Sequence, residues 1–307
     1  MKFIKNLILN NHIFTNSSYQ KDIIKFIKNL NHADINLNYD NNLSIALFLY
    51  DKVDTAQIIL EILKKQNALM NLTVFIDGTQ GSRNYKNQKI IEIVKSYNLK
   101  EVIINKGKLG FRKQMINSME YLSENYEKII FIEDDCIPSL NCIKIFDKEL
   151  EKIKNFKNIF SVYGSPFLVK NEKFGGTFSR FQGWGWGTTS SKIKLVLDDL
   201  KKIYMMSEKK YIEYINKNFN SEIKKKIDIT EKRMPSSTLE KFFAWDEVIC
   251  FLSARIQMEH LLTPERTFYP IMHEASMHFQ NNELFKSPPF NMFYKNEIKK
   301  ILNEKNI

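Results

Sequence analysis

From residue 43 onward the chain alternates strand-length apolar runs with amphipathic helical segments, and no other feature restricts the fold as tightly. The runs are Leu43–Tyr50, Leu72–Ile76, Glu101–Asn105 and Lys128–Ile132. Between them lie segments at helical spacing: Asp54–Gln66, with Asp54 or Thr55 as its cap, then Asn87–Tyr97 and Phe111–Asn125. Strand and helix in strict turn predict βαβ units and a largely parallel, Rossmann-like sheet. Such sheets take their ligands beyond the carboxyl ends of the strands. The residues to interrogate are therefore Tyr50 to Lys52, Asp77 to Ser82, Lys106 to Arg112 and Glu133 to Pro138.

The flanks read differently. Residues 1–42 carry Ile23, Ile24, Phe26, Ile27 and Leu30 at helix spacing, which predicts a helical extension ending in the turn-rich stretch NLNHADINLNYDNN. After Ser139 a helix is expected near Asn141–Lys154, then a strand at Ile159–Tyr163 and the aromatic, glycine-rich loop FSRFQGWGWGTTSS. A lysine-rich helical insertion is expected over about 192–232, with the segment FFAWDEVICFLSARIQM and the loop YPIMHEASMHF after it. The main domain is placed at 43–290, and 291–307 reads as a basic C-terminal helix or tail. No internal repeat is visible.

Composition mostly excludes. Three cysteines, Cys136, Cys142 and Cys250, cannot all pair and have no zinc spacing, so a reducing cytoplasm is the expected setting. No stretch approaches the roughly 20 apolar residues of a membrane span, and Lys5, Asn6 and Asn10 break the N-terminal apolar run, which is not read as a signal peptide. The net charge of +11 favours anionic partners, such as acidic lipid headgroups or nucleotide phosphates, although much of it is expected on solvated helix faces. Nothing resembles a nucleic-acid-reading motif.

The chemistry is concentrated in Glu133-Asp134-Asp135, three acids at the end of the run Ile129-Ile130-Phe131-Ile132. Like charges this close raise one another's pKa unless a cation neutralises them. Hard oxygen ligands suit Mn²⁺ or Mg²⁺, either of which can bridge the phosphates of a departing nucleoside diphosphate. A solvated acidic turn before Pro138 is the plain alternative. The sequence has no GxxxxGK[ST] loop, no GxGxxG after its first strand and no DxDxT at that strand's end. Nucleotide binding by a sheet edge plus a metal remains.

In order along the chain, LSIALFLYDKVDTAQIILEIL, FIDG, KGKLGFRKQM, FIEDDCIPS, FQGWGWGTT, FFAWDEV and HEASMHF resemble the GT-A glycosyltransferases related to N-acetylglucosaminyltransferase I, including bacterial capsule and lipopolysaccharide relatives. The likeness spans about residues 43–285 and implies a three-layer α/β/α fold and a nucleotide-sugar donor, UDP-linked by expectation. It makes Asp135 the direct metal ligand, with Asp134 assisting. Glu133 and Asp77 would face the donor, Trp245 would pack on its sugar, and Arg112, Lys106 and Lys108 would lie near the nucleotide and diphosphate. Ser276 matches a serine in a loop that closes over the diphosphate, and Tyr50 joins the donor-binding set by its place at a strand end. His273 and His278 flank Ser276, and a late histidine completes the metal shell in some GT-A enzymes.

Asp246 matches the family's catalytic base. An inverting transfer needs a carboxylate that takes the acceptor hydroxyl's proton, and Phe242, Phe243 and Trp245 supply surroundings that raise a carboxylate's pKa. Asp246 also suits the cap of the following helix. Glu247 stands where relatives carry a second Asp, so the base lies between these two acids. Trp184 and Trp186 alternate with glycines and offer flat faces to an acceptor sugar, or else cover the sheet edge. The expected acceptor is a glycan or lipid-linked glycan at the cytoplasmic face of an anionic membrane. Rival readings are a nucleotidyltransferase, which would need a Gly-rich basic loop where Tyr50-Asp51-Lys52-Val53-Asp54 stands, and a catalytically inactive sugar-binding domain.

Overall fold

A computed structural model describes residues 22, 25, 26, 28–30, 37–79, 84–166, 173–218, 223 and 244–270. Their elements run β1 (Leu43–Leu49), α1 (Val53–Lys65), β2 (Leu72–Ile76), α2 (Asn84–Lys95), β3 (Glu101–Ile104), α3 (Phe111–Asn125), β4 (Lys128–Glu133), β5 (Cys136–Pro138), α4 (Cys142–Lys154) and β6 (Ile159–Tyr163). There follow β7 (Thr177–Phe178), β8 (Trp186–Thr189), α5 (Ser190–Tyr204), α6 (Glu208–Asn218), α7 (Trp245–Arg255), β9 (Glu259–Leu262) and β10 (Phe268–Pro270). Eight strands form one sheet in the order β3-β2-β1-β4-β8-β6-β9-β7, and β5 pairs with β10 in a separate ribbon.

The expected class is the one that forms. Strands β3, β2, β1 and β4 pair in parallel, with a helix in each crossover. The period of two then sorts their side chains between two cores. Leu43, Ile45, Leu47 and Leu49 of β1 and Ile130 and Ile132 of β4 join α1, α2 and α4 on one face. Ala46, Phe48, Ile129 and Phe131 join α3, α5, α6 and α7 on the other. Burial on both faces is why β1, β2 and β4 read as largely apolar runs.

The second half departs from simple repetition. β8 runs antiparallel to both β4 and β6, with Phe131 opposite Trp186 and Val162 opposite Gly187. This strand lies inside what the sequence presented as a loop. Gly185, just before it, has φ 66°, and a Cβ there would fall 2.2 Å from the Phe268 ring. Glycine meets both demands.

The lysine-rich stretch begins as a wall of the core: Ile193, Val196, Leu197, Leu200 and Ile203 of α5 are buried. Of the N-terminal segment, Phe26 and Leu30 are buried, and the Phe26 ring stacks on Tyr269 at 4.7 Å. The expected cap of α1 gives way too. Lys52 takes the N-cap position without a side-chain cap bond, and Asp54 sits in the first turn. Residues 271–307, with the expected loop and basic tail, lie outside the described residues, and none of the described helices is long and apolar enough to cross a membrane.

Candidate functional site

Strands β1, β2 and β4 deliver acids and a lysine to one sheet edge. Glu133 closes β4, with Asp134 and Asp135 in the turn that follows. Opposite them, at the end of β1, Lys52 Nζ lies 2.6 Å from Asp134 Oδ1 and 2.9 Å from Asp135 Oδ2. Burial works against the lysine's charge, yet the two aspartates outweigh it and hold the ammonium above its ordinary pKa. Asp134 is pushed up to about 6 by burial, with Lys52 pulling it down and Asp135 pushing it up. Glu133 rises well above the usual carboxylate range through burial first and then the nearby Asp135, with Asp134 and Asp246 adding to it and Lys52 opposing. The sequence placed Lys52 among the residues at the end of β1 but gave no sign of its pairing with the acids, since its nearer partner lies 82 positions away.

Asp77 does something other than face outward. Its Oδ1 accepts from the N–H groups of Gly78 (2.9 Å) and Leu109 (2.8 Å), and its Oδ2 from that of Gly110 (2.9 Å). The carboxylate folds inward to shape the loop after β3, whereas the expectation had it meeting the donor. Asn87 ties the neighbouring strand ends together, its Nδ2 donating to the carbonyls of Tyr50 (2.9 Å) and Asp77 (3.0 Å). On the loop so held, Lys106 and Lys108 are exposed, and Lys108 Nζ lies 5.9 Å from the Tyr50 ring centroid. Arg112 is half-buried in the first turn of α3. Removing the Asp77 carboxylate leaves backbone donors without their acceptor. Asp77→Ala is expected to cost about 2–3 kcal/mol in urea unfolding. Unchanged stability would show that the clamp does not hold.

The third component is the start of α7. Its N-cap is Ala244, so Asp246 is an acid of the first helical turn and does not occupy the capping position. Burial and the adjacent Glu247 raise the Asp246 pKa, while first-turn backbone N–H groups and Arg180 pull it down. Glu247 is buried and ion-paired with the equally buried Arg180. The two acids left open by the sequence are thus unlike: Glu247 is bound to an arginine inside the protein, and Asp246 is half-exposed. Asp246 is near enough to Glu133 to raise it, which joins α7 to the acidic edge.

The aromatic residues divide. Trp186 is 1% exposed, stacks on Phe131 at 4.3 Å and belongs to β8. It is a core side chain, and the acceptor-binding role expected of it is corrected on that ground. Trp184 is half-buried and keeps its candidacy. Trp245 is largely buried, stacked on Trp186 at 6.2 Å and edge-on to Phe111 and Phe181, each at 5.9 Å. Gly183 brings the loop against α7, since a Cβ there would lie 3.1 Å from the Trp245 ring and 3.5 Å from Asp246 Cβ.

Whether these residues suit a divalent ion can be asked of the donors themselves. Two carboxylates bracket one ammonium, and Nζ of Lys52 marks a spot between Asp134 and Asp135 that accepts a cation. Hard oxygen donors of this kind fit Mn²⁺ or Mg²⁺. Among the described residues no group of three or more His, Cys, Asp or Glu side chains is placed to hold a metal ion. Ser276, His273 and His278 lie outside the described residues.

No known family profile and no curated protein matches this sequence. Solved structures do. A mannosyltransferase from Pyrobaculum calidifontis, in complex with GDP-Man and Mn²⁺, matches with a TM-score of 0.35 and 9% identity over 60% of this chain and 55% of that one. A candidate nucleotide-diphospho-sugar transferase from Desulfovibrio desulfuricans G20 matches with a TM-score of 0.39 and 9% identity over 86% of this chain and 97% of that one. The match thus spans little more than half the length of the mannosyltransferase.

Proposed function

We propose that this chain is a GT-A-type glycosyltransferase that moves a sugar from a nucleoside-diphosphate sugar to an acceptor hydroxyl. One observation carries the reading: Trp245 of α7 stacks on Trp186, which stacks on Phe131 of β4, so the turn with the half-exposed Asp246 packs toward the strand that ends in the acids although 111 positions of sequence separate Asp135 from Asp246. In the reaction read from this arrangement, Asp246 accepts the proton of the attacking hydroxyl, and its raised pKa brings it nearer the working range of a general base. Glu247, held by Arg180, keeps the first turn of α7 in place. The Asp77 clamp presents Lys106 and Lys108 toward an anionic donor. Asp135, with Asp134, would hold a divalent ion, which when bound neutralises the charge of the leaving diphosphate.

Finer parts of the reading are a UDP-linked donor, inversion at the anomeric carbon, a domain spanning 43–290 and an acceptor on a surface glycan or its lipid-linked precursor. Likeness to the N-acetylglucosaminyltransferase I group supports them through the motifs alone. The basic surface supports docking on the inner face of an anionic membrane. The deciding experiment is a calorimetric titration of the full chain against UDP, GDP, CDP and dTDP, each with Mn²⁺ or with EDTA, beside Asp135→Ala. Metal-dependent binding of one nucleotide, lost in the variant, is the expected result. Absence of binding in every pairing would overturn the reading.

A further inference from the structure

We propose that Lys52 is a built-in counter-ion of the acidic edge, so that a divalent ion reaches Asp134 and Asp135 only by displacing its ammonium group. The inference rests on the reading of these acids as the metal site and adds a residue which that reading does not use. Three observations carry it. Lys52 Nζ contacts both aspartates at once, at 2.6 and 2.9 Å, which is the bridging position a cation would take. All three side chains are close to buried, with 12%, 11% and 14% of their surfaces exposed, so water screens the interaction poorly. Lys52 is also fixed in place, for its backbone forms the N-cap of α1 and its carbonyl accepts the Ala56 N–H at 3.0 Å and the Thr55 hydroxyl at 3.2 Å.

Two cations cannot share this space cheaply. A divalent ion on Asp135 would stand within a few ångströms of Nζ, and like charges in a poorly screened setting repel strongly. Metal-free protein therefore keeps a neutralised edge, and metal binding is weakened by whatever is needed to move the lysine away. Deleting the ammonium leaves the two buried carboxylates without compensation, which is the state that a metal ion binds best.

The test reads Mn²⁺ binding directly, by electron paramagnetic resonance of the free ion, with no nucleotide present. The full chain is compared with Lys52→Met and Lys52→Arg. Lys52→Met is expected to bind Mn²⁺ at least about tenfold tighter than the wild type, and Lys52→Arg, which keeps the positive charge, within about threefold of it. Thermal melts add a second readout, in which Mn²⁺ raises the midpoint of Lys52→Met by more than that of the wild type. Should Lys52→Met not fold in EDTA, Lys52→Gln takes its place, and recovery of folding on addition of Mn²⁺ supports the proposal equally. Equal or weaker Mn²⁺ binding by the lysine-free variants overturns it. Nucleotide titration separates the two failures: if Mn²⁺ affinities are equal and a nucleoside diphosphate still binds with metal, only the counter-ion role falls. If neither metal nor nucleotide binds to any variant, the glycosyltransferase reading falls with it.

Discussion

Asp246→Asn is expected to slow sugar transfer by about 10²–10⁴-fold, the usual contribution of a positioned general base, while leaving nucleotide affinity near its wild-type value. Asn keeps the size and the first-turn position of the side chain but cannot take a proton. The pH–rate profile checks the assignment independently. Burial and Glu247 raise the Asp246 pKa, so the wild-type rate should climb with pH along a limb shifted upward from that of an ordinary aspartate, then level off once Asp246 is ionised. That limb should vanish in the variant. Glu247→Gln should behave differently. It leaves Arg180 buried without its partner carboxylate, which costs roughly 3–5 kcal/mol of stability for a broken buried pair. If Glu247→Gln destroyed the rate with stability intact and Asp246→Asn did not, the roles of the two acids would have to be exchanged.

Acid should unfold the protein through His260. This side chain of β9 is fully buried against β6 and α7, with Nδ1 2.8 Å from the Ser161 hydroxyl and Nε2 3.2 Å from that of Ser253. Phe160 and Phe181 meet its ring edge to face. Burial lowers its pKa from 6.5 to about 3. The folded state therefore keeps a neutral imidazole while the unfolded chain takes up a proton below about 6.5. The stabilisation is fully present above the unfolded value and is lost progressively as pH falls from 6.5 toward 3, a loss on the order of 5 kcal/mol in all. Glu133, Asp134 and Asp246 act with the opposite sign, since their raised values favour the folded state as pH falls. The comparison that isolates the histidine is urea unfolding of wild type and His260→Gln across pH 7 to 4. Stability of the wild type should decline more steeply with acid than that of the variant. Parallel curves would show that His260 does not stay neutral in the fold.

How much of this could be read from the residues depends on how local the cause is. Strands β1, β2 and β4 announced themselves because each is buried on both faces and is made mostly of apolar residues, whereas the partly exposed β3 was legible from its place in the alternation. The acids of β4 were legible because strand and triplet are adjacent. β8 was not. Its four residues, Trp186-Gly187-Thr188-Thr189, owe their strand conformation to pairing with β4 and β6 and carry no periodic signal of their own. Gly187 looked like a loop residue, yet a Cβ there would lie 2.9 Å from the Ile129 carbonyl oxygen. The pairing of Lys52, itself named at a strand end, and that of Arg180 were hidden for a related reason. Their meaning lies in partners 82 and 67 positions away, and a charged side chain alone gives no hint that it is buried. Asp77 was found by its place at a strand end, but whether its carboxylate points to a ligand or back to its own loop is decided by the backbone of residues 109 and 110.

The reversed strand also bears on how the chain is made. Until residues 186–189 leave the ribosome, the outer edge of β4 offers the unpaired backbone of Ile129, Ile130 and Phe131, since β8 is what covers it. An open apolar edge of this kind is a template for association with other chains. The partner strand arrives 55 residues after the end of its opposite segment, counting from Phe131 to Trp186, so the nascent first half spends several seconds, at roughly 5–20 residues per second of synthesis, in its most association-prone form. A chaperone that binds extended apolar segments would find its natural window there, between the emergence of β4 and that of β8.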